Sequence, residues 1–137
     1  MKLKLFYWIY KGWRKIRTLI KYHLSYFYEM DGHLFILPDI KADKAIKEIV
    51  MNLVAFGNKI YEPATTALIK INVKEGDTAL DIGASIGYFT LLLARQVGSG
   101  GKVLAFEPTE HQFPYLVKNI KLNGYQNRVT SLKLAAW

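Results

Sequence analysis

Residues Thr78-Ala79-Leu80-Asp81-Ile82-Gly83-Ala84-Ser85-Ile86-Gly87-Tyr88-Phe89-Thr90 read in succession as a short strand, a glycine-spaced turn and the start of a helix. Gly76-Asp77 turns the chain into the strand. Ala79, Leu80 and Ile82 are uniformly apolar, the pattern expected of a parallel strand buried on both faces. Gly83 and Gly87 allow a sharp bend and a close ligand approach, and the free N–H groups of the following helix point into the same crevice. A ligand site is therefore expected at the carboxyl end of this strand.

Three chemistries use such a turn. Dinucleotide binding needs G-x-G-x-x-G, whereas this stretch is G-x-x-x-G, and Asp81 directly before Gly83 would repel a pyrophosphate. An oxidoreductase using NAD is accordingly the weaker reading. Gly83-Ala84-Ser85-Ile86-Gly87 also satisfies the G-x-S-x-G elbow of hydrolases. No Asp follows Ser85, however, and the only later histidine, His111, lies four residues after Glu107, too near it to complete a triad. The third chemistry, binding of S-adenosylmethionine, suits the acids. An ammonium and a sulfonium are attracted to a carboxylate at a strand end where a phosphate is rejected. Glu107 ends the next strand, Lys102-Val103-Leu104-Ala105-Phe106, and an acid there can accept both ribose hydroxyls.

Asp81-Ile82-Gly83-Ala84-Ser85-Ile86-Gly87-Tyr88, then Gly101-Lys102-Val103-Leu104-Ala105-Phe106-Glu107-Pro108, then Asn119-Ile120-Lys121-Leu122-Asn123-Gly124 together resemble the FkbM-type methyltransferases. Those enzymes are class I, Rossmann-like and dependent on S-adenosyl-L-methionine. The resemblance runs from about Asp31 to the end and is strongest after Gly76. It implies cofactor contacts at Asp81, Gly83, Ala84, Ser85, Gly87, Tyr88, Glu107 and Pro108. It also implies an upstream contact from Glu62 to the ligand's amino group, although by sequence alone Glu62 reads first as an ordinary helix-start acid favoured by the dipole. The common family residue at position 85 is Asn; Ser85 keeps a hydroxyl and loses an amide donor.

The chain has 137 residues, 51% of them apolar, which suits one globular domain and argues against disorder. It contains no cysteine, so neither disulfides nor thiolate metal sites are available. His23, His33 and His111 lack metal-ligand spacing, and no metal is expected. The formal charge of +8 is uneven: seven bases from Lys2 to Lys21 precede the first acid, Glu29, which leaves +1 for the remainder (8 − 7). On a helical wheel Leu5, Trp8, Ile9, Trp13, Ile16, Leu19 and Ile20 share one face, with every base except Lys2 opposite. Such a helix can lie in an anionic membrane interface, or pack its stripe on its own domain or a partner. The distribution points away from nucleic acid. The early apolar run Leu5–Tyr10 is too short for a bilayer span or a signal peptide.

Tyr26–Met30 and His33–Leu37 flank Asp31-Gly32, a two-residue hairpin signal. A helix is expected from Asp43, with Ile46, Ile49, Val50, Leu53 and Val54 on one face and Gly57-Asn58 as its stop. Another opens at Glu62-Pro63, with Leu68 and Ile71 facing inward. After the glycine turn, Ile86–Val97 should be covered on most sides, and Gly98-Ser99-Gly100-Gly101 returns the chain to the second strand. Thr109 and Gln112 form a possible capping box, while Pro114 favours a regular helix from about Phe113 to Asn123-Gly124. Val129–Leu134 supplies a third strand, outermost in the sheet, with Val103–Phe106 between it and Ala79–Ile82.

The expected fold class is therefore α/β: an incomplete Rossmann-like doubly wound sheet of three parallel strands, preceded by a basic amphipathic helix and a β-hairpin. Residues 1–23 form the basic segment, 24–75 the hairpin and helical lead-in, and 76–137 the first half of the methyltransferase domain. The resemblance implies further elements that hold the acceptor pocket, so these residues alone are expected neither to fold cooperatively nor to turn over. It also implies O-methylation of a sugar, glycan or secondary-metabolite hydroxyl. The absence of cysteine fits a cytoplasmic location, peripheral on the inner membrane face if residues 1–22 bind lipid. No general base stands out. The competing class is a non-catalytic nucleotide-binding or membrane-attached module.

Overall fold

The computed structural model of the chain describes residues 27–38 and 60–136. The basic amphipathic segment, the boundary drawn at residue 23 and the helix expected from Asp43 lie outside them. The described elements run β1 (Phe27–Met30), β2 (His33–Ile36), α1 (Pro63–Asn72), β3 (Thr78–Ile82), α2 (Tyr88–Gln96), β4 (Lys102–Phe106), α3 (Phe113–Leu122) and β5 (Val129–Leu132). β3, β4 and β5 form a parallel sheet in that order, with Ala79 opposite Val103 and Val103 opposite Val129. This is the strand order and the partial Rossmann-like fold expected from the sequence. β1 and β2 pair antiparallel through Asp31 and Gly32, both at positive φ (45° and 77°), as a two-residue turn between twisted strands requires.

The two crossovers, β3–α2–β4 and β4–α3–β5, advance in one direction across the sheet. With right-handed connections this puts α2 and α3 on the same face. Ala79 and Asp81 of β3 and Val103 and Ala105 of β4 point to that face, where Leu91, Ala94, Leu116 and Ile120 close the core. α2 is buried along nearly its whole length, as its composition predicts. The opposite face departs from expectation. Leu80 is 59% and Ile82 64% exposed, so β3 is not buried on both sides. An apolar run shows which faces could be covered, but the crossover geometry decides which one these helices cover.

α1 also turns differently from the sequence reading. Leu68 and Ile71 face outward at 60% and 65% exposure, and the inward positions are Thr66, Ile69 and Val73. Two partners remote in sequence fix that rotation: the Thr66 side chain meets the Tyr88 hydroxyl, and Lys70 reaches Asp31 at 2.9 Å. Arg95 of α2 also holds Asp31, with Nη2 on the carboxylate and Nη1 on the backbone carbonyl, both at 2.7 Å. Burial raises the Asp31 carboxyl, but the hydrogen bonds and charges of Lys70 and Arg95 outweigh it and hold it below the ordinary carboxylate value. One aspartate thus ties the hairpin to two helices.

α3 seals the outer edge of β2. Asn119 and Asn123, one turn apart, lie about 6 Å apart along the helix, close to the two-residue repeat of a strand. Asn119 Oδ1 accepts Ile36 N–H at 2.7 Å and its Nδ2 donates to the Ile36 carbonyl at 3.2 Å. Asn123 repeats the pattern on Leu34 at 3.0 and 2.7 Å. Two side-chain amides therefore act as a short extra strand, satisfying an edge that would otherwise offer open donors and acceptors. His33 is buried beside them, 3.2 Å from the Tyr125 hydroxyl, with its pKa lowered to about 4 by burial and then by the Arg95 charge.

Candidate functional site

The site grows from the aligned carboxyl ends of β3 and β4. Ile82 lies opposite Phe106, and the Gly83 and Ala84 N–H groups both donate to the Phe106 carbonyl at 2.9 Å, so the chain folds over the sheet end as it leaves β3. Gly87 N–H donates to Ala84 O at 2.8 Å, and Leu91 N–H to Gly87 O opens α2. Gly83 (φ 81°) and Gly87 (φ 95°) take left-handed conformations that only glycine adopts readily. A Cβ on Gly83 would meet nothing within 4 Å, so its open side faces space a ligand could enter. Ser85 is left-handed too, at φ 52°. Asn tolerates that conformation better than serine, a physical reason for the Asn common at this position in the resembling family.

Glu107 closes the turn from the other strand. It is 3% exposed; Oε2 accepts Ser85 N–H at 2.7 Å, and Oε1 accepts Thr109 N–H at 2.8 Å and the Thr109 hydroxyl at 2.6 Å. A carboxylate has about four acceptor positions, so three internal donors leave about one for a ligand hydroxyl. Glu107 is thus both the buckle of the glycine turn and a candidate ribose acceptor. Thr109 serves Glu107 more than the helix it was expected to cap: Gln112 N–H reaches its hydroxyl only at 3.4 Å, and α3 begins at Phe113.

Asp81 sits beneath the turn, 9% exposed, and accepts a very short hydrogen bond from the Thr90 hydroxyl. Burial pushes its carboxyl above the ordinary value, the Thr90 hydrogen bonds pull the other way, and the neighbouring Glu107 charge adds to the rise. A carboxyl raised in the folded state stabilises the fold when protonated. That contribution is complete below the unfolded value near 3.8 and is lost as pH rises through the higher folded value. Asp81→Asn keeps an oxygen for Thr90 and removes the buried charge. It is expected to equal or exceed the wild type in urea stability at pH 7, with a shallower fall above pH 4. A clear loss of stability at pH 7 would show that the ionised carboxylate is favoured where it lies.

Among the remaining residues expected at the site, Ala84 is buried within the turn and Pro108 is exposed after Glu107. The Tyr88 hydroxyl accepts Tyr61 N–H (3.0 Å) and meets the Thr66 hydroxyl (3.4 Å). Glu62 is exposed at the start of α1, with φ 43°. The structure joins Glu107 to Ser85 directly and brings Asp81 near Glu107. Thr90, Thr109 and Asn119, whose Nδ2 also donates to Ile86 O in the turn at 2.8 Å, were not expected there. Only Thr109, two residues after an acid at a strand end, left a usable signal in the sequence.

Residues 54–135 match the TRM5/TYW2 methyltransferase domain family. The chain belongs to that family. What TRM5/TYW2 membership shares with the FkbM-type resemblance is the class I methyltransferase fold. A protein-L-isoaspartate O-methyltransferase from Aeropyrum pernix is 30% identical over 99 residues, covering 71% of this chain and 37% of the relative. The structure of M. jannaschii TYW2 in complex with AdoMet superposes with a TM-score of 0.56 at 27% identity, over 80% of this chain and 42% of that one. A SAM-dependent O-methyltransferase from Thermotoga maritima gives 0.50 at 28% identity, over 80% and 40%. This TRM5/TYW2-family chain spans less than half the length of these relatives.

Proposed function

We propose that this chain carries the S-adenosylmethionine site of a class I methyltransferase that methylates an oxygen acceptor. The observation that carries the reading is Glu107, a buried carboxylate at the end of β4 bonded into the glycine turn that rises from Asp81. Two adjacent acids at parallel strand ends suit a ligand with a ribose, a sulfonium and an ammonium, and oppose a pyrophosphate. Methyl transfer to oxygen would be an in-line displacement: the acceptor oxygen would form its bond to the methyl carbon as the carbon–sulfur bond breaks, the sulfur would leave as a neutral thioether, and the hydroxyl proton would pass to water. The protein's main contribution to such a step is to position the two reactants.

The FkbM-type motifs favour a sugar, glycan or secondary-metabolite hydroxyl as acceptor, and the O-methyltransferase relatives support oxygen as the accepting atom. A ligand present at 100 times its Kd stabilises the folded state by about 2.7 kcal/mol. Saturating S-adenosylmethionine should therefore raise the melting temperature by several degrees, and NADH should leave it unmoved. A shift with NADH alone would transfer the site to a dinucleotide.

The basic amphipathic segment at residues 1–22 is proposed to hold the protein on the anionic inner face of the membrane. Among the described residues no helix is long and apolar enough to cross a membrane. The chain should sediment with anionic vesicles at low salt, and high salt or deletion of residues 1–22 should release it. Equal sedimentation with and without the segment would instead favour packing of its apolar stripe.

A further inference from the structure

We infer that Tyr88 is a positioning residue that acts on the ligand through Glu62. The inference rests on the S-adenosylmethionine reading and assigns Tyr88 a role other than direct contact. Tyr88 opens α2 immediately after Gly87, and its ring is 5% exposed, packed between Phe35 (centroids 6.2 Å apart) and Tyr61 (5.5 Å). Three hydrogen bonds close a ring around its hydroxyl. Tyr61 N–H donates to Tyr88 Oη at 3.0 Å, and Thr66 Oγ1 donates to Tyr61 O at 2.8 Å. The Thr66 proton being committed to that carbonyl, the Tyr88 proton must go to Thr66 Oγ1, 3.4 Å away. Both peptide planes flanking Tyr61 are held by this ring.

The next residue is Glu62, at φ 43° and ψ 72° directly before Pro63. That conformation is unfavourable for a glutamate, and proline after it narrows the alternatives further. Left-handed non-glycine residues persist only where their surroundings over-determine them. Here the surroundings are the Tyr61–Thr66–Tyr88 ring, anchored to the glycine turn through Tyr88. Glu62 is exposed, and one carboxylate oxygen accepts the Thr65 hydroxyl at 3.0 Å, which leaves acceptor capacity for an ammonium. The geometry therefore couples the turn that takes the adenosyl part of the ligand to an acid suited to its amino-acid end.

The test compares two ligands on the full chain: S-adenosylmethionine, and 5′-methylthioadenosine, which lacks the amino-acid end. Glu62→Ala should weaken S-adenosylmethionine about 10-fold, the loss of one charged hydrogen bond, and leave methylthioadenosine unchanged. Tyr88→Phe should reproduce that selective loss, and the double variant should bind within about twofold of Glu62→Ala, because coupled residues are not additive. Thr66→Val breaks the same ring from its other side and should behave as Tyr88→Phe does, which keeps the inference testable if Tyr88→Phe fails to fold. Equal weakening of both ligands by Tyr88→Phe and Thr66→Val would make the ring merely structural and overturn the inference. So would full affinity in both variants while Glu62→Ala is impaired. If Glu62→Ala has no effect on a wild type that binds, Glu62 is not a ligand residue and the inference falls alone. If the wild type binds neither ligand, the reading of the site falls with it.

Discussion

Asn119→Leu is expected to lower the melting temperature of the cooperatively folded protein by roughly 10–20 °C. Asn119 is fully buried, and its side chain serves three backbone groups: Ile36 N–H, the Ile36 carbonyl and the Ile86 carbonyl. Leucine has the same branched skeleton without the polar atoms, so no cavity forms. The loss comes from the buried Ile86 carbonyl and the two half-buried Ile36 groups left without partners, at about 1 kcal/mol or more each, and a chain of this length shifts by about 3–6 °C per kcal/mol. Asn123→Leu should cost less, because Asn123 is only half-buried and water can replace it at Leu34. Circular-dichroism melts of the two variants check the order. A shift below about 3 °C for Asn119→Leu would mean that the turn and the hairpin hold without their shared amide.

Glu107→Ala is expected to weaken S-adenosylmethionine binding about 10- to 100-fold, the range of one lost charged hydrogen bond of about 1.5–3 kcal/mol. The substitution acts twice. It removes the candidate ribose acceptor, and it releases Ser85 N–H and Thr109 from the carboxylate that ties the glycine turn to the loop after β4. Glu107→Gln separates charge from shape. Its amide nitrogen must face either Ser85 N–H or Thr109 N–H, donor against donor, so it should lose nearly as much as alanine. Calorimetry on both variants decides, and unchanged affinity in Glu107→Ala would remove Glu107 from the site.

Much of the fold was legible because local chemistry dictates it. Asp31-Gly32 demands a two-residue turn, Gly83 and Gly87 mark the strand-to-helix bend, and Pro114 sets the start of α3 at Phe113. Right-handed crossovers then order β3, β4 and β5. The rotation of α1 was not legible, because Leu68 and Ile71 are as apolar as Ile69 and Val73. The choice falls to Tyr88 and Asp31, 22 and 39 residues away from their partners. Leu80 and Ile82 misled for a related reason: apolarity identifies a face fit for burial without naming what buries it. At the site, Asp81 and Glu107 announce themselves as acids at strand ends, and Thr109 stands two residues after one of them. Thr90, the partner of Asp81, becomes visible only when the turn is folded. The Asn119–Asn123 spacing lay in plain view as one helical turn, but its meaning requires knowing that a strand edge runs alongside.

The central claim is that the turn between β3 and α2, flanked by Asp81 and Glu107, selects S-adenosylmethionine. Titration calorimetry of the wild-type chain with S-adenosylmethionine and, separately, with NADH tests it most directly. One-site binding of S-adenosylmethionine, with no heat from NADH beyond dilution, is the predicted result. Binding of NADH with S-adenosylmethionine inert would contradict it, because two carboxylates would then be accommodating the phosphates they are argued to repel.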